Sequence, residues 1–295
     1  MNGMTNEISI AIPAYRNANR LRRCLCSIEK IDPDWLSLTV VTDDSGDGQV
    51  ANELRNEFQP VKWIVRETNQ GFARAANDAV LSCQSKWVLL LNDDSEIVDD
   101  PRPALVPLLT LPNLFAISLR STDEQGIFRE GAKKLVWRFG IAKILHNVKD
   151  QAPLLDGVSE SSYAVGGHAV YNREMFMKLG GFDSEFHPFY WEDVDICVRA
   201  NKLGLRTLYT NDVTIVHRND GAIKSNNNAA AIRYATWLNR LIFSQRHAHG
   251  LQRTLLKVGL VWHHLHAFIT NDEPRKRALA EFARRLSYKH RGLNG

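Results

Sequence analysis

Short apolar runs recur along the first hundred residues, and their spacing constrains the fold more than any other feature of the sequence. The runs at 8–12, 38–42, 61–65 and 87–91 are separated by segments with helical periodicity. Branched residues in runs of this length, bounded by turn residues, are typical of strands buried on both faces. Strands that alternate with helices predict a parallel arrangement. We therefore expect an α/β fold with a mostly parallel central sheet flanked by helices.

Acidic residues follow the fourth run directly. Residues 87–91 lead into Asn92, Asp93 and Asp94 without an intervening loop. In open α/β sheets, ligands bind beyond the carboxyl ends of the strands, and Mg²⁺ commonly takes one or two carboxylates together with substrate phosphates. The stretch therefore indicates a metal–diphosphate site. The alternative is an ordinary strand-end turn in which Asp94 or Ser95 caps a helix.

Two further acidic clusters, Asp43-Asp44 and Glu192-Asp193, lie at predicted edges of a strand and a helix. Three such clusters in one α/β chain are consistent with a cation, a polar ligand and a base. No Gly-x-Gly-x-x-Gly follows the first strand, and no Gly-x-x-x-x-Gly-Lys occurs anywhere. A Rossmann dinucleotide site and a P-loop are therefore not expected.

Composition indicates a folded, globular protein. The chain has 295 residues, 44% of them hydrophobic, and a net charge of +4, which does not require a nucleic-acid partner. Its four cysteines form no disulfide framework, which fits a reducing compartment. A strand is predicted almost at the first residue, and no stretch approaches the ~20 apolar residues of a membrane span. We expect a cytoplasmic protein.

The later part of the chain is less regular. Residues 120–162 mix glycine, charge and aromatics without a clear period, and we expect a short helix at 137–145 there. Beyond residue 222 the pattern is helical only. One of these helices, 251–268, has a broad apolar face, and the end of the chain is basic. That face either packs on the preceding domain or touches a membrane interface at the inner side of the cytoplasmic membrane.

Six motifs occur in an order that resembles one enzyme family. They are Ile-Pro-Ala-Tyr-Arg16, Val-Thr-Asp-Asp-Ser-Gly-Asp-Gly48, Asn-Gln-Gly-Phe-Ala-Arg-Ala-Ala-Asn77, Leu-Leu-Leu-Asn-Asp-Asp-Ser-Glu96, Leu-Gly-Gly-Phe-Asp183 and Phe-Tyr-Trp-Glu-Asp-Val-Asp-Ile-Cys-Val-Arg199. The sequence is similar to inverting family 2 nucleotide-sugar glycosyltransferases of the GT-A (Rossmann-like) fold, nearest to the bacterial rhamnosyltransferase-like branch. The resemblance covers about residues 7–245.

The resemblance implies contacts with the nucleotide-sugar donor in the first half of the chain. The matching positions are Pro13, Ala14, Tyr15, Asp43, Gly71, Arg74, Asn77, Asn92 and Asp93. In this interpretation Asp43 holds the base or the ribose, and Arg74 lies along the nucleotide. A local turn bond is the alternative for Asp43, and an ordinary surface charge is the alternative for Arg74.

The resemblance also implies a metal, a base and an acceptor side. Asp94 and His217 match the ligands of a Mg²⁺ or Mn²⁺ ion, although a structural role for His217 remains open. Asp193 matches the base that takes the proton of the acceptor hydroxyl, with Glu192 supporting it; the alternative is that both are helix N-terminal charges. The acceptor side is matched by Gly166, Gly167, His168 and Trp191.

These implications define the expected organisation and activity. We expect a catalytic domain at 1–222, with a donor half at 1–98 and an acceptor half at 99–222, followed by a helical region at 223–295. The expected reaction moves a sugar from dTDP-rhamnose or a UDP-sugar to a saccharide, which we expect to be lipid-linked, in bacterial surface polysaccharide synthesis. A nucleotidyltransferase is a rival, but its basic, glycine-rich activation loop is absent. A non-catalytic sugar-nucleotide-binding protein is another, but it would not need Glu192-Asp193.

Overall fold

The computed structural model describes residues 8–146, 153–155, 157–218 and 226–291. Its strands in chain order are β1 (Ile8–Ala14), β2 (Thr39–Asp43), β3 (Lys62–Val65), β4 (Trp87–Leu91), β5 (Ser95–Ile97), β6 (Leu114–Thr122), β7 (Phe128–Glu130), β8 (Lys133–Arg138), β9 (Ile141–His146), β10 (Pro153–Leu155), β11 (Val158–Glu160), β12 (His168–Asn172) and β13 (Arg206–His217).

Helices separate these strands and follow the last of them. They are α1 (Ala18–Ile31), α2 (Gln49–Leu54), α3 (Phe72–Ser82), α4 (Arg102–Leu108), α5 (Arg173–Lys178), α6 (Glu192–Asn201), α7 (Ala229–His247), α8 (Leu251–Ile269) and α9 (Glu273–Arg291). Short 3₁₀ turns occur at Pro33–Leu38 and Ser184–Phe186.

One sheet organises the molecule, with the strand order β10-β11-β13-β6-β12-β4-β1-β2-β3. The strands β3, β2, β1 and β4 pair in parallel, as the alternation of strands and helices predicts. Beyond β4 the pairing changes, because β12 runs antiparallel to both of its neighbours, β4 and β6. The expected α/β fold is confirmed. Parallel pairing, however, is limited to the first four strands and to the β6–β13 pair.

Strand β4 lies in the interior of this sheet and buries all five of its side chains. Val88 and Leu90 face a hydrophobic cluster that includes residues of α3, α6 and α7. Trp87, Leu89 and Leu91 face a second cluster built with α1, α2 and α4. Successive side chains of a strand point to opposite faces, so an unbroken apolar run is what a strand covered on both sides requires.

The helix expected at 137–145 is wrong, because β8 and β9 form an antiparallel hairpin there. Two residues connect the strands, Phe139 with φ 49° and Gly140 with φ 70°. Positive φ at both central residues is the mark of the type I′ turn, whose twist matches that of a hairpin. The Phe-Gly pair therefore ends one strand and starts the next instead of continuing a helix.

The expected C-terminal helical region is also present, and its first helix is part of the core. Leu238, Leu241 and Phe243 of α7 are buried in the same cluster as Val88. Ser244 accepts a hydrogen bond from the backbone amide of Ala142 in β9 (2.9 Å). The predicted boundary between 222 and 223 falls in 219–225, outside the described residues. Among the helices that are described, none combines the length and the apolar character needed to cross a bilayer.

Candidate active site

The carboxyl ends of β1, β2 and β4 open into a cleft of about 800 Å³. Most of the residues predicted for the site line this cleft, namely Pro13, Ala14, Tyr15, Gly71, Asn92, Asp93, Asp94, Gly166, Gly167, Glu192, Asp193 and His217. Five predicted residues lie outside its lining, namely Asp43, Arg74, Asn77, His168 and Trp191. A volume of this size suits a ligand larger than a single sugar.

Asp93 is tied to the loop after β1. Its Oδ2 accepts hydrogen bonds from the backbone amide of Tyr15 (3.2 Å) and from Nη2 of the buried Arg20 (3.4 Å). The same Arg20 nitrogen donates to the Tyr15 carbonyl (3.0 Å). Burial raises the pKa of Asp93 to about 7. The positive charge of Arg20 opposes this rise, and the negative charge of Asp94 adds to it. Arg20 thus joins the ends of β1 and β4 into one wall of the cleft.

The two acids after β2 have different environments. The carboxylate of Asp43 is fully buried and accepts backbone hydrogen bonds from Ser45 (3.0 Å) and Ala51 (2.9 Å), so it shapes the turn into α2. Asp44 lines the cleft and accepts from the amides of Gln70 and Gly71, the latter at 2.8 Å. Burial raises the pKa of Asp44. Of the two, Asp44 is the acid that a ligand in the cleft can meet.

Asp94 and His217 meet where the turn before β5 lies against the end of β13, the strand that pairs with β5. His217 Nε2 lies 3.3 Å from Asp94 Oδ1, an oxygen that is buried and accepts no hydrogen bond within the described residues. Burial opposes protonation of His217, but the carboxylates of Asp94 and Glu130 outweigh it and raise its pKa. A carboxylate and an imidazole are donors that a divalent cation accepts.

The described residues contain no group of three or more His, Cys, Asp or Glu side chains with the arrangement of a metal site. Asp94 and His217 offer two ligands here, and oxygens of a substrate or water can complete the coordination. Mg²⁺ is bound in this way in many phosphate-handling sites, with few protein ligands and several waters. Asp94 and His217 fit such an ion.

Glu130 and His168 lie next to the Asp94–His217 pair. His168 is fully buried, and its Nε2 lies 3.3 Å from Glu130 Oε2, while its ring is 5.8 Å from that of His217. Burial lowers the pKa of His168. Glu130 lines the cleft itself. His168, predicted for the acceptor side, is thus separated from the cleft and packs against the residues that form its wall.

Glu192 and Asp193 form the opposite wall at the start of α6. Asp193 accepts hydrogen bonds from the backbone amides of Gly166 (3.2 Å) and Val194 (2.8 Å). Burial raises the pKa of Asp193 to about 6, and these amides limit the rise. The Glu192 carboxyl has a buried oxygen without a hydrogen-bond partner among the described residues, and burial raises its pKa well above the usual range.

The loop that carries this pair is held by α7. Tyr190 and Trp191 both have positive φ, 72° and 80°, which non-glycine residues seldom adopt. The side-chain amide of Asn239 in α7 donates to the carbonyls of Phe186 (2.7 Å), Phe189 (2.8 Å) and Tyr190 (3.2 Å). Asn239 is fully buried. It therefore fixes the backbone immediately before Glu192 and Asp193.

Asp195 provides a second connection between α6 and α7. Its fully buried carboxylate forms ion pairs with Nε of Arg199 (2.7 Å), Nη1 of Arg246 (3.0 Å) and Nε2 of His247 (2.8 Å). Burial opposes ionisation, but the three partners outweigh it and lower the pKa of Asp195. Trp191, predicted for the acceptor side, packs its buried ring on Phe243 of α7, with ring centroids 4.9 Å apart. These contacts make α7 a structural support of the loop before Glu192 and Asp193.

Arg74 and Asn77 lie on another face of α3 and line a separate depression of about 590 Å³. The side-chain amide of Asn77 exchanges two hydrogen bonds with the backbone of Phe182, both of 2.8 Å. Arg74 contacts Gln70 (3.1 Å) and Ser184 (3.5 Å). Gly71 and Ala75, four positions apart, line the cleft. Arg74 and Asn77, three positions apart, line the separate depression.

Several cleft residues were not predicted from the sequence. They are Asp44, Asn69, Glu130, His187 and Tyr190. Asp44 could have been found, because the first Asp of an Asp-Asp-Ser-Gly turn commonly binds the backbone two residues on and leaves the second free. Glu130 lies in the stretch without periodicity, where the sequence carries no comparable signal.

Comparisons with known proteins agree with this geometry. The sequence matches the family described as glycosyl transferase family 2 over residues 9–180, which is more than half of the chain. A search of curated proteins finds no match.

Solved structures with the same fold include the following three. GalNAc-T7 with UDP, GalNAc and Mn²⁺ has 15% identity and a TM-score of 0.62 over 83% of this chain, which spans about half (48%) of that protein chain. The mannosyltransferase PcManGT from Pyrobaculum calidifontis with GDP-Man and Mn²⁺ has 17% identity and a TM-score of 0.56, covering 96% of this chain and 75% of that one. TarS residues 1–349 of S. aureus with UDP has 17% identity and a TM-score of 0.53, covering 88% and 72%.

At this level of identity the structural similarities establish the fold, which is the GT-A type expected from the motifs. The family is established by the sequence match, which includes β1 to β4 and the loops after them that line the cleft. This chain belongs to glycosyl transferase family 2.

Proposed function

We propose that the protein is an inverting glycosyltransferase that moves a sugar from a nucleotide-diphosphate sugar to a hydroxyl of a saccharide. One observation carries the proposal: a desolvated carboxylate, Asp193, faces the same cleft as the Asp94–His217 pair. Cation ligands on one wall and a base on the other are what a single displacement at a sugar carbon requires.

In this reaction the acceptor oxygen attacks the anomeric carbon of the donor sugar. Asp193 takes the hydroxyl proton while the carbon–oxygen bond to the diphosphate breaks, and the nucleoside diphosphate leaves with the bonding electrons. A carboxyl group with a pKa of about 6 is mostly ionised at neutral pH and is still a stronger base than an exposed aspartate. Attack from the face opposite the leaving group inverts the anomeric configuration.

Asp94 and His217 would hold a Mg²⁺ or Mn²⁺ ion, which supplies charge stabilisation for the leaving diphosphate. GalNAc-T7 and PcManGT are both described with Mn²⁺. For the donor we propose that Pro13, Ala14 and Tyr15 cup the base. Asp44, which lines the cleft, takes the base or ribose contact more readily than the enclosed Asp43.

The donor we propose is dTDP-rhamnose or a UDP-sugar, and the acceptor is a saccharide, carried on a lipid, in bacterial surface polysaccharide synthesis at the cytoplasmic side of the membrane. The donor half is 1–98 and the acceptor half 99–222, with 223–295 as a helical region. Gly166 and Gly167 border the acceptor side. A Cβ on Gly167 would lie 2.2 Å from Asn92 Nδ2, so glycine is required for this close approach. Tyr190, half-exposed at the rim, is a further acceptor contact.

Two alternative functions would give different results in a product assay. A nucleotidyltransferase would release pyrophosphate from a nucleoside triphosphate, and a non-catalytic binding protein would leave the donor intact. The buried Glu192–Asp193 pair disfavours the second, because two desolvated carboxyl groups cost stability without serving binding alone.

A donor screen followed by product analysis tests the proposal. Thermal shift with Mn²⁺ and UDP-, GDP- and dTDP-sugars identifies the donor, and transfer to a saccharide acceptor is then followed by NMR of the new glycosidic bond. We expect release of a nucleoside diphosphate and a product of inverted anomeric configuration. Retention of configuration, or turnover of nucleoside triphosphates with release of pyrophosphate, would overturn the proposal.

A further inference from the structure

The outer face of α8 exposes a row of large apolar side chains, which we call the α8 stripe. Its members are Leu251, Val258, Val261, Trp262, Leu265, Phe268 and Ile269, each between 57% and 80% exposed. Because they recur at spacings of three, four and seven residues, they lie along one side of the helix. An exposed, contiguous apolar surface of this kind marks an interaction site more often than isolated exposed residues do.

The opposite side of α8 is the one that packs on the protein. Leu256, Gly259 and Ala267 are buried there. A Cβ on Gly259 would lie 2.3 Å from the carbonyl oxygen of Phe139, so the tip of the β8–β9 hairpin touches the helix backbone directly. Phe139 itself is exposed and adds an aromatic ring beside α8. The helix is thus held by its small residues, and its bulky ones are left facing outward.

Basic residues border the α8 stripe. Arg253, Lys257 and His264 recur at i, i+4 and i+11 and therefore form a row along one edge of it. The sequence from 221 to 271 contains six Lys and Arg and no Asp or Glu. Two of the six, Arg233 and Arg246, pair with acids of other segments. The basic row, by contrast, lies beside the apolar stripe on the same helix.

We propose that the α8 stripe and its basic row dock the protein on an anionic lipid bilayer, with α8 lying in the plane of the headgroups. Aromatic and aliphatic side chains on one face with Lys and Arg beside them are typical of interfacial helices. Juxtamembrane cations add attraction to anionic leaflets. A helix of 19 residues extends roughly 28 Å and presents the whole stripe to one flat surface.

A second copy of the chain fits this surface less well than a bilayer does. In a two-fold symmetric contact the same patch appears on both partners. In an antiparallel two-fold pair the basic rows of two α8 helices lie on the same side and approach each other, and α8 carries no acidic residue to offset them. An anionic bilayer provides the complementary charge together with an apolar layer below it.

Flotation of the full-length protein with vesicles tests the proposal without donor or acceptor, so the result is independent of sugar transfer. Two compositions are compared: pure phosphatidylcholine, and phosphatidylcholine with three parts in ten phosphatidylglycerol. We expect binding to the anionic vesicles and roughly tenfold weaker binding to the neutral ones. Equal binding to both, or binding to neither, would overturn the proposal.

Variants on the surface separate its two components. The double variant Trp262→Ser, Phe268→Ser should lose roughly tenfold or more in vesicle binding, and Arg253→Glu, Lys257→Glu should lose the preference for anionic lipid. A matched control is Leu203→Ser with Val98→Ser, since both residues are exposed and lie outside α8. All three proteins should keep the wild-type melting temperature.

The variants also distinguish the second-copy alternative. If light scattering shows a dimer that the Trp262→Ser, Phe268→Ser variant dissociates while vesicle binding is unchanged, the stripe is a protein interface and the lipid proposal is wrong. A monomer that floats with anionic vesicles in the wild type and in the Leu203→Ser, Val98→Ser control, and fails to float in the stripe variant, supports the proposal.

Discussion

The cleft contains two pairs of adjacent acids, and their surroundings differ. The strand pair, Asp93–Asp94, follows β4 and has a cationic or ionisable partner on each member, Arg20 at 3.4 Å and His217 at 3.3 Å. The helix pair, Glu192–Asp193, begins α6, where backbone amides contact Asp193 and burial is the largest influence on both pKa values. Both pairs consist of two adjacent carboxyl residues, but their surroundings in the fold differ.

The difference indicates a division of labour. The strand pair combines carboxylates with a guanidinium and an imidazole, which is a suitable environment for a cation and the phosphates bound to it. The helix pair is desolvated, and backbone amides donate the hydrogen bonds to Asp193. Desolvation favours the protonated form and is the usual way in which a carboxyl group becomes a general base.

The largest expected effect is on catalysis by the helix pair. Asp193→Asn keeps the size of the side chain and removes the proton acceptor, so kcat should fall roughly 10²–10⁴-fold. Binding of the donor with Mn²⁺ should be nearly unchanged in calorimetry, because the strand pair is intact. Asp99→Asn, an isosteric change at an exposed acid, is the control. Full turnover in the Asp193→Asn protein would sink the assignment of the base.

For the strand pair we expect the opposite pattern, in which metal-dependent nucleotide binding is lost. Asp94→Ala removes one of the two side chains available to a cation, and Mn²⁺-dependent nucleotide binding should weaken at least roughly a hundredfold. Binding measured with EDTA present should change little. Calorimetry on both proteins, with and without Mn²⁺, makes the comparison. An Asp94→Ala protein that binds donor and Mn²⁺ like the wild type would reject the metal role.

A smaller effect on kcat is expected for changes at Asn239, the residue of α7 that holds the loop before the helix pair. Asn239→Ala removes three hydrogen bonds to the loop before Glu192, and kcat should fall roughly tenfold through mispositioning of Asp193. Asn239→Asp keeps the size but cannot donate, so it should behave in the same way.

The donor affinity distinguishes this positioning role from general destabilisation. It should be unchanged in both Asn239 variants, whereas a partly unfolded protein would lose donor binding together with kcat. Asn201→Ala, at an exposed position near the end of α6, is the control. Equal losses in affinity and kcat would leave Asn239 as a structural residue only.

The donor side of the molecule was predictable from the sequence because its signals are local. The first four strands are short apolar runs, and the loops that follow them carry the polar residues of the cleft. Position along a strand also decides which side a residue faces. That rule puts Asp43 and Asp44 on opposite sides. Helix periodicity does not separate Gly71 from Arg74, because residues three positions apart share a face, and only the fold shows that they line different depressions.

The acceptor side was less predictable because long-range contacts define it. Nothing near Asn239 in the sequence shows that it binds carbonyls some fifty residues earlier. Glu130 enters the cleft because the short strand β7 pairs with β6, and the hairpin after it depends on a two-residue turn at Phe139. His168 looked accessible beside the Gly166-Gly167 pair, yet the fold encloses it.

The smallest predicted effect concerns the stability cost of the helix pair. Burial and the neighbouring Asp193 raise the pKa of Glu192 well above its ordinary value of 4.5. A raised carboxyl pKa means that the folded state loses stability as pH rises through that pKa, since the charged form is disfavoured in the interior. Glu192→Gln removes the charge, so Tm at pH 8 should rise by roughly 2–4 °C.

The pH dependence provides the decisive control. Near pH 4.5 the wild-type carboxyl is largely protonated in the folded state and half protonated when unfolded, so the difference in Tm between Glu192→Gln and the wild type should nearly disappear. Glu124→Gln, at an exposed site, should leave Tm unchanged at both pH values. A Glu192→Gln protein that melts lower than the wild type at pH 8 would mean that the charged carboxylate has a stabilising partner. The contrast between the two pairs would then be wrong, because the helix pair, like the strand pair, would be charge-compensated in the fold.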